Sequence, residues 1–159
     1  MSITCEPIGI IHSPFSEPAG IPIQPAAGAE IEGTVEVFEP FRDGLADLDG
    51  FSHIVLLCHL HRSDGYRLRV VPYLDTVERG LFATRAPRRP NAIGLSVVRL
   101  ERIEDGVLHI RGVDLIDGTP LLDIKPYVPP FDDPEGVRIG WLEAFKTRIP
   151  GHRSDERFA

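Results

Sequence analysis

The chain has 159 residues, 42% of them hydrophobic and 26% charged, with a formal net charge of −7. That length and balance suit one globular domain with a single core, and the acidic excess argues against indiscriminate nucleic-acid binding. No apolar run approaches the ~20 residues that span a bilayer, so no membrane association is expected. Cys5 and Cys58 are too few and too far apart for a disulfide framework. The segment MSITCEPIGI carries neither a basic nor an apolar leader region. A cytoplasmic compartment with both thiols reduced is the expectation.

Pro7 to Ser13 (PIGIIHS) reads as a short β-branched strand stopped by Pro14. Residues 14–29 hold Pro14, Pro18, Pro22, Pro25, Gly20 and Gly28, a loop of the length that tends to carry function. Glu30 to Phe38 (EIEGTVEVF) alternates acidic with apolar residues or Thr, which predicts a half-buried strand. Phe41 to Leu48 supports one helical turn, since Gly44 weakens anything longer. Phe51 to His61 (FSHIVLLCHLH) is the most apolar run and predicts a strand buried on both faces. After an Asp64-Gly65 turn, Arg67 to Val71 reads as its hairpin partner.

Residues 80–96 (GLFATRAPRRPNAIGLS) present Arg85, Arg88 and Arg89 from a loop stiffened by Pro87 and Pro90. Asn91 and Gly94 supply turn-type conformations before the next strand. Ile93 to Ile103 and Val107 to Val113 predict a hairpin across Glu104-Asp105-Gly106, and Pro120 to Lys125 another strand after Asp117-Gly118-Thr119. Ile139, Leu142, Phe145 and Ile149 share one helical face, which predicts a C-terminal helix over about 137–149, with Trp141 beside it and Pro150-Gly151 at its end. The last residues, HRSDERFA, are polar and expected to be loose. About seven short strands with short helices and one C-terminal helix make a mainly β domain over 1–159, a barrel or sandwich rather than a βαβ fold.

Charge is unevenly spread. Residues 62–90 carry +4, leaving −11 on the rest, so one basic island on an acidic body would face an anionic partner. Guanidinium forks recognise carboxylate and phosphate. His53, His59 and His61 share strand parity and could offer imidazoles to zinc. However, His53 and His59 would stand ~20 Å apart at ~3.3 Å per residue, and no carboxylate or cysteine has ligand spacing, so no metal is expected. Cys58, between two leucines, reads as a small core residue. No G-x-S-x-G elbow, G-x-G-x-x-G loop or phosphate-binding G-x-x-x-x-G-K-[ST] loop is present. Asp114, Asp117, Asp123, Lys125 and Tyr127 crowd five titratable groups into one stretch beside a strand, the density a small-molecule pocket needs.

Five blocks add a resemblance to these readings: PIGIIHSPF (7–15), GIPIQP (20–25), LDGFSHIVLLCHLHRS (48–63), GLFATRAPRRPNAIGLS (80–96) and DLIDGTPLLDIKPY (114–127). In order, from residue 7 to about 130, they resemble the motifs of the TsaA-like family. The resemblance implies a compact β-barrel that forms homodimers, binds S-adenosyl-L-methionine, and methylates N6 of threonylcarbamoyladenosine at position 37 of a tRNA. It implies cofactor contacts from Pro22, Ile23 and Gln24, from His61 and Arg62, from Arg85, from Leu95, and from Leu115, Ile116, Asp117 and Gly118. Ile23 stands where the family often has arginine, and Ala92 where it usually has proline. The extra C-terminal domain of longer bacterial members has no counterpart in the sequence. Within this reading Asp117, Asp123 and Tyr127 are the candidate catalytic bases, while Arg88, Arg89, Asn91 and Lys125 are expected to face substrate. Two alternatives are methyl transfer to another RNA or a small molecule, and a non-catalytic module that senses S-adenosyl-L-methionine.

Overall fold

The computed structural model describes residues 1–22, 29–149 and 157. Among them, eight strands run in chain order: β1 (Gly9–His12), β2 (Glu32–Val37), β3 (His53–His59), β4 (Arg69–Val70), β5 (Arg79–Gly80), β6 (Ile93–Glu104), β7 (Val107–Arg111) and β8 (Thr119–Pro126). Six of them close a barrel in the order β1-β2-β7-β6-β3-β8, each neighbour antiparallel to the next. Closure leaves no barrel edge unpaired, which removes the aggregation hazard of an open sheet.

Alternation sets which side chains fill the barrel. Ile54, Leu56 and Cys58 on β3, Val98 and Leu100 on β6, and Leu108 and Ile110 on β7 point inward and are buried. Ile11, Val35, Val37 and Leu121 complete the same core. Each fully buried aliphatic side chain contributes about 1.5–3 kcal/mol. A narrow barrel also needs local bends. The register slips once between β3 and β8 at Leu57/Cys58, and once between β6 and β7 at Leu100/Arg102. Such bulges add the coiling that closure demands. The β6–β7 hairpin turns through Asp105 and Gly106, at φ 50 and 79, the paired left-handed conformations of a type I′ turn.

Three expectations change in detail. On the outer face of β3, Val55 and Leu57 are half-buried, so only one face of that strand is fully enclosed. The segment expected to pair with β3 pairs elsewhere: Arg69–Val70 lies against Arg79–Gly80. Both edges of β3 are taken by β6 and β8, so a barrel has no place for that hairpin. Over 137–149 the helical residues are a 3-10 helix at Gly140–Phe145. Gly140 sits at φ 58, a left-handed conformation no α-helix contains, and so the apolar period does not propagate. Pro150 to Arg153 and the rest of the tail other than Arg157 lie outside the described residues, as do Ile23 and Gln24.

Candidate active site

Antiparallel closure brings the exit of β3 beside the starts of β6 and β8, where His59 pairs with Ile93 and Cys58 with Leu121. The connections 13–22, 60–63, 81–92 and 112–118 crowd this rim and enclose a cavity of about 350 Å³. That volume falls in the range of small-molecule sites, ~300–1,000 Å³. Ile21, Pro22, Leu60, Leu95, Leu115 and Ile116 give it apolar walls. His61, Arg62, Arg85, Ser96, Asp114 and Thr119 supply its polar groups.

Each connection is fixed by its own short-range bonds. Ser13 Oγ donates to the Leu115 carbonyl at 2.5 Å, and the Asp117 and Gly118 amides donate to the Phe15 and Ile11 carbonyls. Asp117 Oδ1 accepts from the Ser13 amide and lies 3.2 Å from His12 Nδ1. Thr119 Oγ1 donates to the Ile116 carbonyl at 2.6 Å. The arginine loop is curled by Arg89, whose Nη1 donates to the Thr84 and Ala86 carbonyls at 3.0 and 3.2 Å. Leu81 and Ala86 bury themselves with Val70 in a small second core that holds the loop down.

One carboxylate lines the cavity among the described residues, that of Asp114. Burial pushes its pKa up to about 6, against the pull of a hydrogen bond from Ser96 and of the Arg85 charge. Ser96, 2% exposed on the inward face of β6, donates to Asp114 Oδ1 at 2.5 Å. Burial lowers the pKa of His61, with Arg62 and His59 adding repulsion, so its imidazole is neutral at pH 7. Burial and the nearby Asp114 charge push Cys58 up to about 12, which keeps it a thiol and no nucleophile.

The rim thus gathers Pro22, His61, Arg62, Arg85, Leu95, Leu115 and Ile116, and Arg89 with them. Asp117 and Gly118 sit one step along the same loop, where the Asp117 side chain braces residues 12–13 rather than lining the cavity. Other expected positions stand apart from it. Asp123 accepts from its neighbour's amide, Ile124 N, and pairs with Lys125 at 2.8 Å. Tyr127 donates to Asp133 at 2.6 Å, which raises its pKa. Both lie toward the far end of β8 from Thr119, which lines the cavity. Arg88 is half-buried in the loop and Asn91 is exposed, its carbonyl accepting from Ile93 N in the tight turn before β6. His53 and His59 stand exposed at opposite ends of β3, and no cluster of metal-ligating side chains occurs among the described residues.

Residues 10–133 match the family model described as the tRNA-methyltransferase O N-terminal domain. The chain belongs to the TrmO family. It is 56% identical over 99% of its length to a "Probable S-adenosyl-L-methionine-binding protein" of Pyrococcus abyssi, covering 86% of that protein. A "tRNA (adenine(37)-N6)-methyltransferase" of mouse is 37% identical over 87% of this chain, which covers 34% of the mouse protein. The crystal structure of TrmO from Pseudomonas aeruginosa superposes with a TM-score of 0.76 at 44% identity, over 88% of this chain and 62% of that one. The chain therefore spans just under two thirds of that TrmO and about a third of the mouse enzyme.

Ser96 was not singled out by the sequence, and Asp114 only as one of five crowded titratable groups, not as a base or a cofactor contact. Asp114 opens the DLIDGTP block, but its partner sits 18 residues earlier inside an apolar strand. Parity along β6 marks Ser96 as an inward position, and a hydroxyl there, among aliphatic neighbours, is the signal available to sequence reading.

Proposed function

We propose that this TrmO-family chain is an S-adenosyl-L-methionine-dependent methyltransferase acting on adenine 37 of a tRNA, with the threonylcarbamoylated base as its substrate. The observation that carries the reading is the rim cavity, where an apolar wall, a cluster of arginines and one half-buried carboxylate meet on loops of a TrmO-type barrel. The residues present fit the cofactor by chemistry. Arg85 and Arg62 match a carboxylate, Leu95 and Ile116 an apolar face, and the Leu115–Gly118 backbone offers polar groups at the rim. Pro22, at the edge of the described residues, also lines the cavity.

When bound, S-adenosyl-L-methionine supplies an electrophilic methyl group, so the protein's task is alignment, exclusion of water and removal of one proton. Asp114 is the base in this reading. Its carboxylate lines the cavity, Ser96 orients it, and burial brings its affinity for a proton closer to neutrality, where a general base works best. Arg89 pairs with the carboxylate that a threonylcarbamoyl group brings, and the neutral His61 borders the same pocket. The protein acts as a homodimer. Val55 on β3, facing Val97 on β6, and Leu57 two residues along give it an apolar outer patch suited to a second copy.

Arg85→Ala is expected to lower S-adenosyl-L-methionine affinity by at least tenfold in calorimetry, and an unchanged affinity would remove Arg85 from the site. Labelled methyl donor with threonylcarbamoylated tRNA tests the reaction. Label on adenine 37 supports the proposal, label elsewhere changes the substrate, and binding without transfer leaves a sensor.

A further inference from the structure

A second cavity, about 500 Å³, lies on the other side of the arginine loop and shares Tyr73, Thr84 and Arg85 with the first. Its character differs. Phe82, Trp141, Leu142 and Ile149 line it, and no carboxylate does among the described residues. Phe82 is 73% exposed, a large ring left in solvent at the lip of the opening. Each aromatic here carries a guanidinium. Arg89 lies over Phe82 at 5.7 Å, Arg79 over Trp141 at 5.5 Å and Arg157 over Tyr73 at 5.5 Å from the ring centroids. Arg148 covers Phe145, which packs edge-on against Trp141 at 6.0 Å. The wall itself is held firmly, since Trp141 Nε1 donates to the Ala83 carbonyl at 2.8 Å.

We infer that this cavity is a subsite for an unpaired RNA nucleotide next to the methylated one, its base stacking on Phe82 and its phosphate meeting the surrounding arginines. Single-stranded nucleic acid is held where aromatic rings alternate with cations along a groove, because every base offers a π-face and every step a phosphate. An apolar peptide would use the rings but offer no anion to the Arg89 and Arg148 guanidinium groups over Phe82 and Phe145. Residues 62–90, which carry +4 against −11 elsewhere, supply part of this cavity's wall, and that charge favours a polyanion there. Thr84 and Arg85 form a wall common to the two cavities, as a strand threading both would need. The inference rests on the reading that the first cavity holds the methyl donor and the target base.

Trp141 is the one tryptophan of the chain and lines the subsite, so its fluorescence reports occupancy directly. Titration with a single-stranded adenine-rich RNA heptamer should quench or shift the emission at concentrations where the same sequence in a duplex does not. Phe82→Ala should weaken heptamer binding between about five- and a hundredfold, the range one stacked base supplies. The exposed ring supports no core, so the variant should fold. Methyl-donor affinity is measured in parallel by calorimetry. A heptamer that leaves Trp141 unperturbed, or binds Phe82→Ala as tightly as the parent, overturns the subsite. A methyl donor that fails to bind while the heptamer response survives sinks the earlier reading, and with it the claim that the stacked nucleotide neighbours a methylated one.

Discussion

At the scale of single residues, Asp114 ties chemistry to stability. Its carboxyl titrates near 6 rather than the ordinary 3.8 because burial disfavours the charge. A base must be unprotonated to accept a proton, so turnover should fall as pH drops through about 6. Ser96 donates to the charged form. Removing that hydroxyl should raise the Asp114 pKa further, and Ser96→Ala should move the acid limb to higher pH without abolishing the reaction. Asp114→Asn should cost about 10²–10⁴ in kcat. Stability runs the other way. A raised folded-state pKa favours the protonated acid, so this contribution is complete below 3.8 and is lost as pH rises through about 6. At pH 8 the ionised group therefore burdens the fold by about 1–3 kcal/mol. Asp114→Asn should lift the melting temperature at pH 8 by a few degrees, and much less at pH 4. Equal melting curves for the two proteins at pH 8, together with an acid limb that Ser96→Ala does not move, would release Asp114 from both roles.

At the scale of elements, β6 carries both the barrel and the site, and Gly94 is where the two meet. A Cβ there would stand 2.7 Å from Cys58 Sγ and 2.8 Å from Leu60 Cδ2. Gly94→Ala should therefore cost about 1–3 kcal/mol as overpacking, and should push Leu60 into the cavity it lines. Removing the sulfur in Gly94→Ala/Cys58→Ala should return part of that stability, giving a favourable coupling in a double-mutant cycle of urea midpoints. Strictly additive midpoints would mean the backbone, not the sulfur, absorbs the methyl group. The same element shows what a sequence can convey. Its alternation, and that of β7 across the Asp105-Gly106 turn, announced the hairpin, because period-two patterning is local. The loops bearing His61, Arg85 and Leu115 were legible for a similar reason, since turn residues and arginines mark themselves. The pairing of β4 with β5 was not, because it follows from barrel closure, which is a global property. Nor was the Asp114–Ser96 pair, which depends on the register of two segments that meet only at the rim.

For the whole molecule, the proposed function asks an acidic chain to hold RNA. Within the basic island Arg69 is paired with Glu78 and Arg79 with buried Asp75, so those two guanidinium groups are already partly neutralised. Three to five remaining phosphate contacts would give log K against log salt a slope of roughly −2 to −4, at about 0.7 per contact with a single strand. Arg88→Ala should flatten it by about 0.7 while leaving base preference intact. Dimerisation through the outer face of β3 and β6 would set two such islands on one particle and steepen the slope seen with a full tRNA relative to an anticodon-stem fragment. Val97→Arg, on the outer side of β6 opposite Val55, places a charge in that face without touching the core. It should halve the sedimenting mass and bring the tRNA slope down to that of the fragment. A parent protein that sediments as a single chain, or a dimer whose salt slope Val97→Arg leaves unchanged, would show that one basic island suffices.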